Sequence, residues 1–130
     1  MNAPSVDIKD LLIASGLGLV FGKNLHITRE PSSPNRCVTI YDTTSMAPGL
    51  TMNRLERYEY PAIQIRIRHD DYRQGWALAE SILTTLHGLH NQIVNGTVYT
   101  HLRCSSGPSL LERDTNDRYI IIMNYELQRR

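Results

Sequence analysis

Ile63-Gln64-Ile65-Arg66-Ile67-Arg68 alternates strictly between isoleucine and a polar side chain, the period of two that a β-strand imposes. One face of such a strand is apolar. The other carries Gln64, Arg66 and Arg68, with the two arginines about 6.6–6.8 Å apart along the strand. A strand with one dry and one wet face fits an antiparallel or mixed sheet better than an all-parallel one. Directly after it, Asp70 or Asp71 can cap a helix that runs to about His87 and stops at Gly88. Its apolar positions Tyr72, Trp76, Ala79, Ile82, Leu83 and Leu86 recur at spacings of three and four. Both elements are apolar at their own period and share a short connection, so the isoleucine face is expected to pack on this helix.

Towards the N-terminus, residues 43–59 read as a long loop containing Pro48-Gly49, preceded by a short β-branched strand at 37–41. Pro31, Ser32, Ser33, Pro34 and Asn35 form another loop by composition. Residues 19–28 are β-like around a Gly22-Lys23-Asn24 turn. The chain opens with a helix capped by Ser5, apolar at Val6, Ile8, Leu11 and Leu12 and ended by Gly16. Towards the C-terminus, Asn95-Gly96 is a hairpin turn signal followed by a strand at 97–104. Residues 105–117, with Gly107-Pro108, read as a second long loop. Residues 118–128 form a closing strand whose Ile120-Ile121-Ile122-Met123 run is apolar on both sides, as in a central strand. The sum is an α+β fold: a single domain over 1–130, a mixed, mainly antiparallel sheet of about four to six strands, and two helices packed on one face.

At 130 residues and 14.9 kDa the chain suits one core, with a folded surface of roughly 7,000 Å² and no need of disulfides or metal. Fourteen Lys+Arg against thirteen Asp+Glu leave a net charge of +1, which argues against a nucleic-acid-binding polycation. The opening residues Met1 to Ser5, soon followed by Asp7, Lys9 and Asp10, do not read as a secretory leader, and no apolar run reaches the length of a membrane span. Cys37 and Cys104 each lie in a strand-like segment and are expected as small thiols, bridged only where those segments pair closely. A reducing cytoplasm is the expected setting.

Catalytic motifs are missing. His87, His90 and His101 lack a nearby carboxylate or cysteine at ligand spacing, and a helix-end histidine facing the last carbonyls is the better reading of His87. Gly16, Gly18 and Gly22 have the wrong spacing for a dinucleotide fingerprint and follow a helix. Asp70 and Asp71 suit a helix start, and Asp114, Asn116 and Asp117 a solvated turn. No nucleophile elbow exists. No enzyme activity, cofactor or metal is expected.

Arg54, Arg57, Arg66, Arg68 and Arg73 cluster in sequence and interleave with Tyr58, Tyr60 and Tyr72. That combination is common at interfaces, though Glu56, Glu59 and Asp70 also balance it locally. The 43–59 segment adds Met46, Leu50, Met52 and Leu55, more apolar side chains than a solvated loop displays. Met46, Leu50, Met52, Arg54, Arg57, Gln64, Arg66 and Arg68 are therefore the candidate interface residues.

Val38-Thr39-Ile40-Tyr41-Asp42, then Tyr60-Pro61-Ala62-Ile63-Gln64-Ile65-Arg66-Ile67-Arg68, then Tyr72 with Ala79, Ile82, Leu86 and Gly88, resemble the minor capsid or tail-terminator proteins of long-tailed bacteriophages. Asn95-Gly96, Pro108, Leu110-Leu111-Glu112-Arg113-Asp114 and the closing strand extend the likeness from about residue 34 onward. Thr43-Thr44-Ser45 departs from the glycine-rich turn of that family. The resemblance implies a structural virion protein, assembled in the host cytoplasm. It would form a homo-oligomeric ring, a hexamer, at the head–tail junction, with the tail tube protein and the head connector or stopper protein as partners and DNA passing through the lumen. On this reading Arg66 and Arg68 meet acidic groups of a neighbouring subunit or face the channel. The alternatives are another neck protein, such as a head-completion or stopper subunit, and a small nucleic-acid-binding module.

Overall fold

The computed structural model describes residues 1–50, 52 and 57–130. Its elements in chain order are α1 (Pro4–Ala14), β1 (Leu25–Ile27), β2 (Cys37–Leu50), β3 (Arg57–His69), α2 (Tyr72–Leu86), β4 (His90–Val94), β5 (Thr97–Arg113) and β6 (Tyr119–Arg129). The strands form one sheet in the order β1-β2-β3-β6-β5-β4. β1 runs parallel to β2, and every other pairing is antiparallel. This is the α+β architecture expected from the alternation in β3.

That alternation sets the two faces. Ile63, Ile65 and Ile67 are fully buried and share a core with Ala79, Ile82 and Leu86 of α2 and with Ile8 and Leu12 of α1. β6 is central, between β3 and β5. It turns Ile121, Met123, Tyr125 and Leu127 into the core and buries Ile120 on the opposite face, which accounts for the apolar run at 120–123. α2 lies so close to the sheet that a Cβ on Gly75 would come within 2.9 Å of His69 Cβ.

The caps are partly as expected. Asp71 caps α2, accepting from the Arg73 and Gln74 amides at 3.0 and 3.3 Å, while Asp70 pairs with Arg36 at 2.8 Å. α1 begins two residues earlier than its sequence suggests, with Ala3 rather than Ser5 as the N-cap and Pro4 in the first turn. Ser5 is then inside the helix, and its amide and hydroxyl donate to the Asp42 carboxylate of β2 at 3.0 and 2.7 Å. A carboxylate at a helix N-terminus satisfies an orphan amide and the helix dipole together.

Both expected long loops are mostly strand. β2 continues to Leu50 and β3 starts at Arg57, so residues 43–50 and 57–59 are the far ends of two paired strands, with register shifts between Thr43 and Met46 and between Met46 and Gly49. β5 continues to Arg113, with shifts around Ser106 and Ser109, leaving a turn at 114–118. The bulges absorb Pro48 and Gly107-Pro108, which is how strands tolerate such residues. The β-like stretch at 19–28 shrinks to β1 and one bridge from Phe21 to Leu25.

Two half-edges of the sheet carry no partner strand among the described residues. β1 covers β2 only at Val38, Thr39 and Ile40. β4 covers β5 only from Thr97 to His101, with bonds from residues 87–89 extending that cover to Cys104.

Candidate assembly surfaces

The outer sheet face is built on β3 by the same alternation that builds the core. Gln64 donates to Asn124 Oδ1 at 3.2 Å. Arg66 and Arg68 converge on Glu30, at 3.4 and 3.7 Å, and Arg68 also donates to the Pro34 carbonyl at 2.6 Å. Arg118 adds a bond to the Ser32 carbonyl at 2.6 Å while paired with Asp114 at 2.8 Å. Three guanidinium groups thus clamp residues 30–34 across this face. Arg68 is only 4% exposed. The geometry differs from an open band of positive charge, because the proline-rich segment turns back over the strand that its own sequence gives no sign of touching. Burial pushes the Cys37 thiol up, against the opposing pull of Arg68. Cys37 and Cys104 are both free, on strands separated by β3 and β6.

The hairpin end of β2 and β3 is different. Residues 42–48 are exposed, including Met46, and Met52 is fully exposed. Leu50 and Arg57 pair across the strands by their backbones. Arg54 lies outside the described residues, as does Leu55. Shallow clefts of about 290 and 270 Å³ flank Met46, one against Pro61 and Arg129, the other against Tyr60, His101 and Glu126.

Two features escape a reading of the sequence. The first is a buried polar cluster beneath α1. Tyr99 donates to Asp7 Oδ2 at 2.5 Å. Arg129 donates to Tyr99 Oη at 3.1 Å, to Glu59 at 2.9 Å and to the Asn2 carbonyl at 2.8 Å. Asn95 reaches Asp7 and Asp10, each at 2.8 Å. Burial, reinforced by Asp7, holds the Tyr99 hydroxyl far above its ordinary range. The bonded partners are 30 to 127 positions apart in sequence, so no local pattern joins them. The second is the outer half of β5, where residues 109–113 are exposed and Leu110 and Leu111 stand in solvent. The adjacent leucines break alternation, which hides the strand but hints at two faces open to contact.

The histidines make no metal site: among the described residues no group of three or more ligating side chains assembles. His87 accepts the Cys104 amide at 3.0 Å instead of facing the α2 carbonyls. Asp70 and Asp114 are held below the ordinary carboxylate range. For Asp70 the main cause is the hydrogen bond from Arg36; for Asp114 desolvation is the largest influence and works the other way, but bonds from the Arg118 and Asn116 amides outweigh it. Both are fixing turns.

A family model described as bacteriophage tail terminator protein matches residues 11–130. No curated protein matches the sequence. Among solved structures the chain is similar to one from the virion of a native gene transfer agent particle, with a TM-score of 0.68 and 11% identity over 98% of this chain and 94% of that one. A second solved chain aligns with a TM-score of 0.51 and 14% identity, over 95% and 89% of the two chains. At these identities the likeness is one of fold.

Proposed function

The chain belongs to the bacteriophage tail terminator family, a structural component of the virion, and from that premise we propose that it closes into a homo-oligomeric ring, a hexamer, on the head-proximal end of the tail tube. The ring stops tube growth and presents a docking face to the head connector or stopper protein, and DNA passes through its lumen without sequence-specific binding. The observation that carries this reading is the extent of the family match, which takes in every strand and α2. A closed ring needs two different surfaces on each subunit. The hairpin end, where Met46 and Met52 are exposed, is our candidate for one contact, with Leu50, Arg54 and Arg57 included on their sequence alone. Arg66 and Arg68 act from beneath, by holding residues 30–34 in place, and Gln64 beside them braces β3 against β6.

The test is a phage from which this gene is removed. Tail tubes of uncontrolled length and heads without tails are the expected products, with both defects restored by the wild-type gene supplied in trans. Tails of normal length joined to heads would overturn the assignment.

A further inference from the structure

The two uncovered half-edges of the sheet lie on opposite sides of it and at opposite ends. β2 is free in its second half, where it pairs with the start of β3. β5 is free in its second half, where it pairs with the start of β6. Because β2, β3, β6 and β5 are joined by three antiparallel steps, the free half of β2 is at one end of the sheet and the free half of β5 at the other.

Resting on the ring reading above, we propose that neighbouring copies join by antiparallel pairing of the free β2 edge, residues 43–47, with the free β5 edge, residues 109–113, of the next copy. Direction comes first. β2 and β5 run oppositely within one chain, so two copies set side by side in the same sense bring β5 of one antiparallel to β2 of the other. Stagger comes second. The free halves meet only if the second copy is displaced along the strands, and a sheet closed into a ring requires tilted strands and such a stagger. β1 and β4 then act as stops, since each fills the half-edge that the neighbour leaves alone.

Chemistry supports the same pairing. Open edges in monomeric proteins are normally blunted with charge, but residues 43–50 contain no Asp, Glu, Lys or Arg, and on the β5 edge charge is confined to Glu112 and Arg113 at the end of the run, after the uncharged Ser109, Leu110 and Leu111. Thr43, Thr44 and Ser45 suit a strand, and the exposed Met46, Leu110 and Leu111 sit on these two edges. Pro48 and Pro108, which lack an amide donor, bound the pairable runs and limit the register. The two edges differ in sequence, so the contact is heterologous, the type that closes rings.

The experiment blocks one edge at a time. Thr44→Pro or Ser45→Pro removes an amide from the β2 edge, and Leu110→Pro or Leu111→Pro does so on β5; in each adjacent pair one amide points outward. Circular dichroism melts confirm which variants fold. Native mass spectrometry should show rings for the wild type, monomers for a blocked β2 or a blocked β5 alone, and dimers when the two are mixed, since one intact joint remains. Rings from all the folded blocked variants, or dimers from either alone, would overturn the pairing. Hydrogen exchange on the wild type needs no variant: amides in 43–47 and 109–113 should slow at least about tenfold on assembly. Wild-type rings with unchanged exchange there overturn the edge pairing and leave the ring intact. A wild-type chain that stays monomeric even on purified tail tubes of the same phage overturns both.

Discussion

Gly107 has φ +93°, and a Cβ placed on it would lie 2.5 Å from the Ile122 carbonyl oxygen. Both the backbone conformation and the close approach of β6 require glycine here. Gly107→Ala should cost at least about 2 kcal/mol, read as a lowered midpoint in urea with an unchanged slope. His69 supplies a different kind of constraint. It is 6% exposed, and its Nδ1 accepts the Asp71 amide at 2.9 Å. Burial first, then the Arg36 guanidinium, lower its pKa. The folded protein therefore keeps the ring neutral while the unfolded chain takes up a proton near pH 6.5. Protons then favour the unfolded state, so stability is complete above about pH 6.5 and declines below it. Comparing thermal melts of wild type and His69→Gln from pH 7.5 to 5 should show a steeper acid loss in the wild type. Equal slopes would mean that His69 does not carry the effect.

Elements with one buried face were legible and those without were not. β3 and α2 announce themselves because half of each meets the core, and a period of two or 3.6 follows from that. The α2 cap was legible as one of Asp70 and Asp71, though the choice between them was not, and the α1 cap read at Ser5 lies instead at Ala3, because Pro4 opens the helix and the Ser5 side chain is taken up by Asp42. The structure resolves the α2 choice, and Asp71→Ala should cost about 1 kcal/mol by loss of the N-cap, while Asp70→Ala, which loses an exposed pair with Arg36, should have a smaller effect. A melt of the two variants checks the ranking; the reverse order would reassign the cap. The outer halves of β2 and β5 were read as loops because neither face of them enters the core, so no alternation marks them. Their bulges shift the register, and their prolines and glycines look like turn signals. Of the candidate interface residues, the exposure of Met46 and Met52 follows from this same absence of a core. The clamping of Arg66 and Arg68 depends on Glu30 and Pro34, more than 30 residues away, and no local pattern contains it.

Across the whole molecule, stability and surface are held by separate sets of residues. From the last strand, Arg129 stitches together the start of the chain, β3 and β5 through Asn2, Glu59 and Tyr99, with Asp7 of α1 at 3.8 Å. It is 7% exposed, and Asp7 is fully buried. Arg129→Ala leaves buried carboxylate without its cation, a loss of about 3–5 kcal/mol from a total of about 5–15. A marked fall in melting temperature is expected, and a variant that melts like the wild type would show that the cluster adds no net stability.

Met46 and Met52 stand at the opposite extreme, exposed at 73% and 107%. Neither enters the core, so Met46→Asp with Met52→Asp removes little buried area and should shift stability by no more than about 0.5 kcal/mol. If the hairpin end docks on a neighbour, however, two carboxylates enter a contact that excludes water, and charge without a partner is costly there. The double variant should therefore melt with the wild type yet fail to restore tail length or head joining to phage lacking the gene. Arg129→Ala should fail through loss of folded protein instead. Full restoration by the methionine variant would remove the hairpin end from the assembly surface, and a lowered melting temperature would place these side chains in the fold after all.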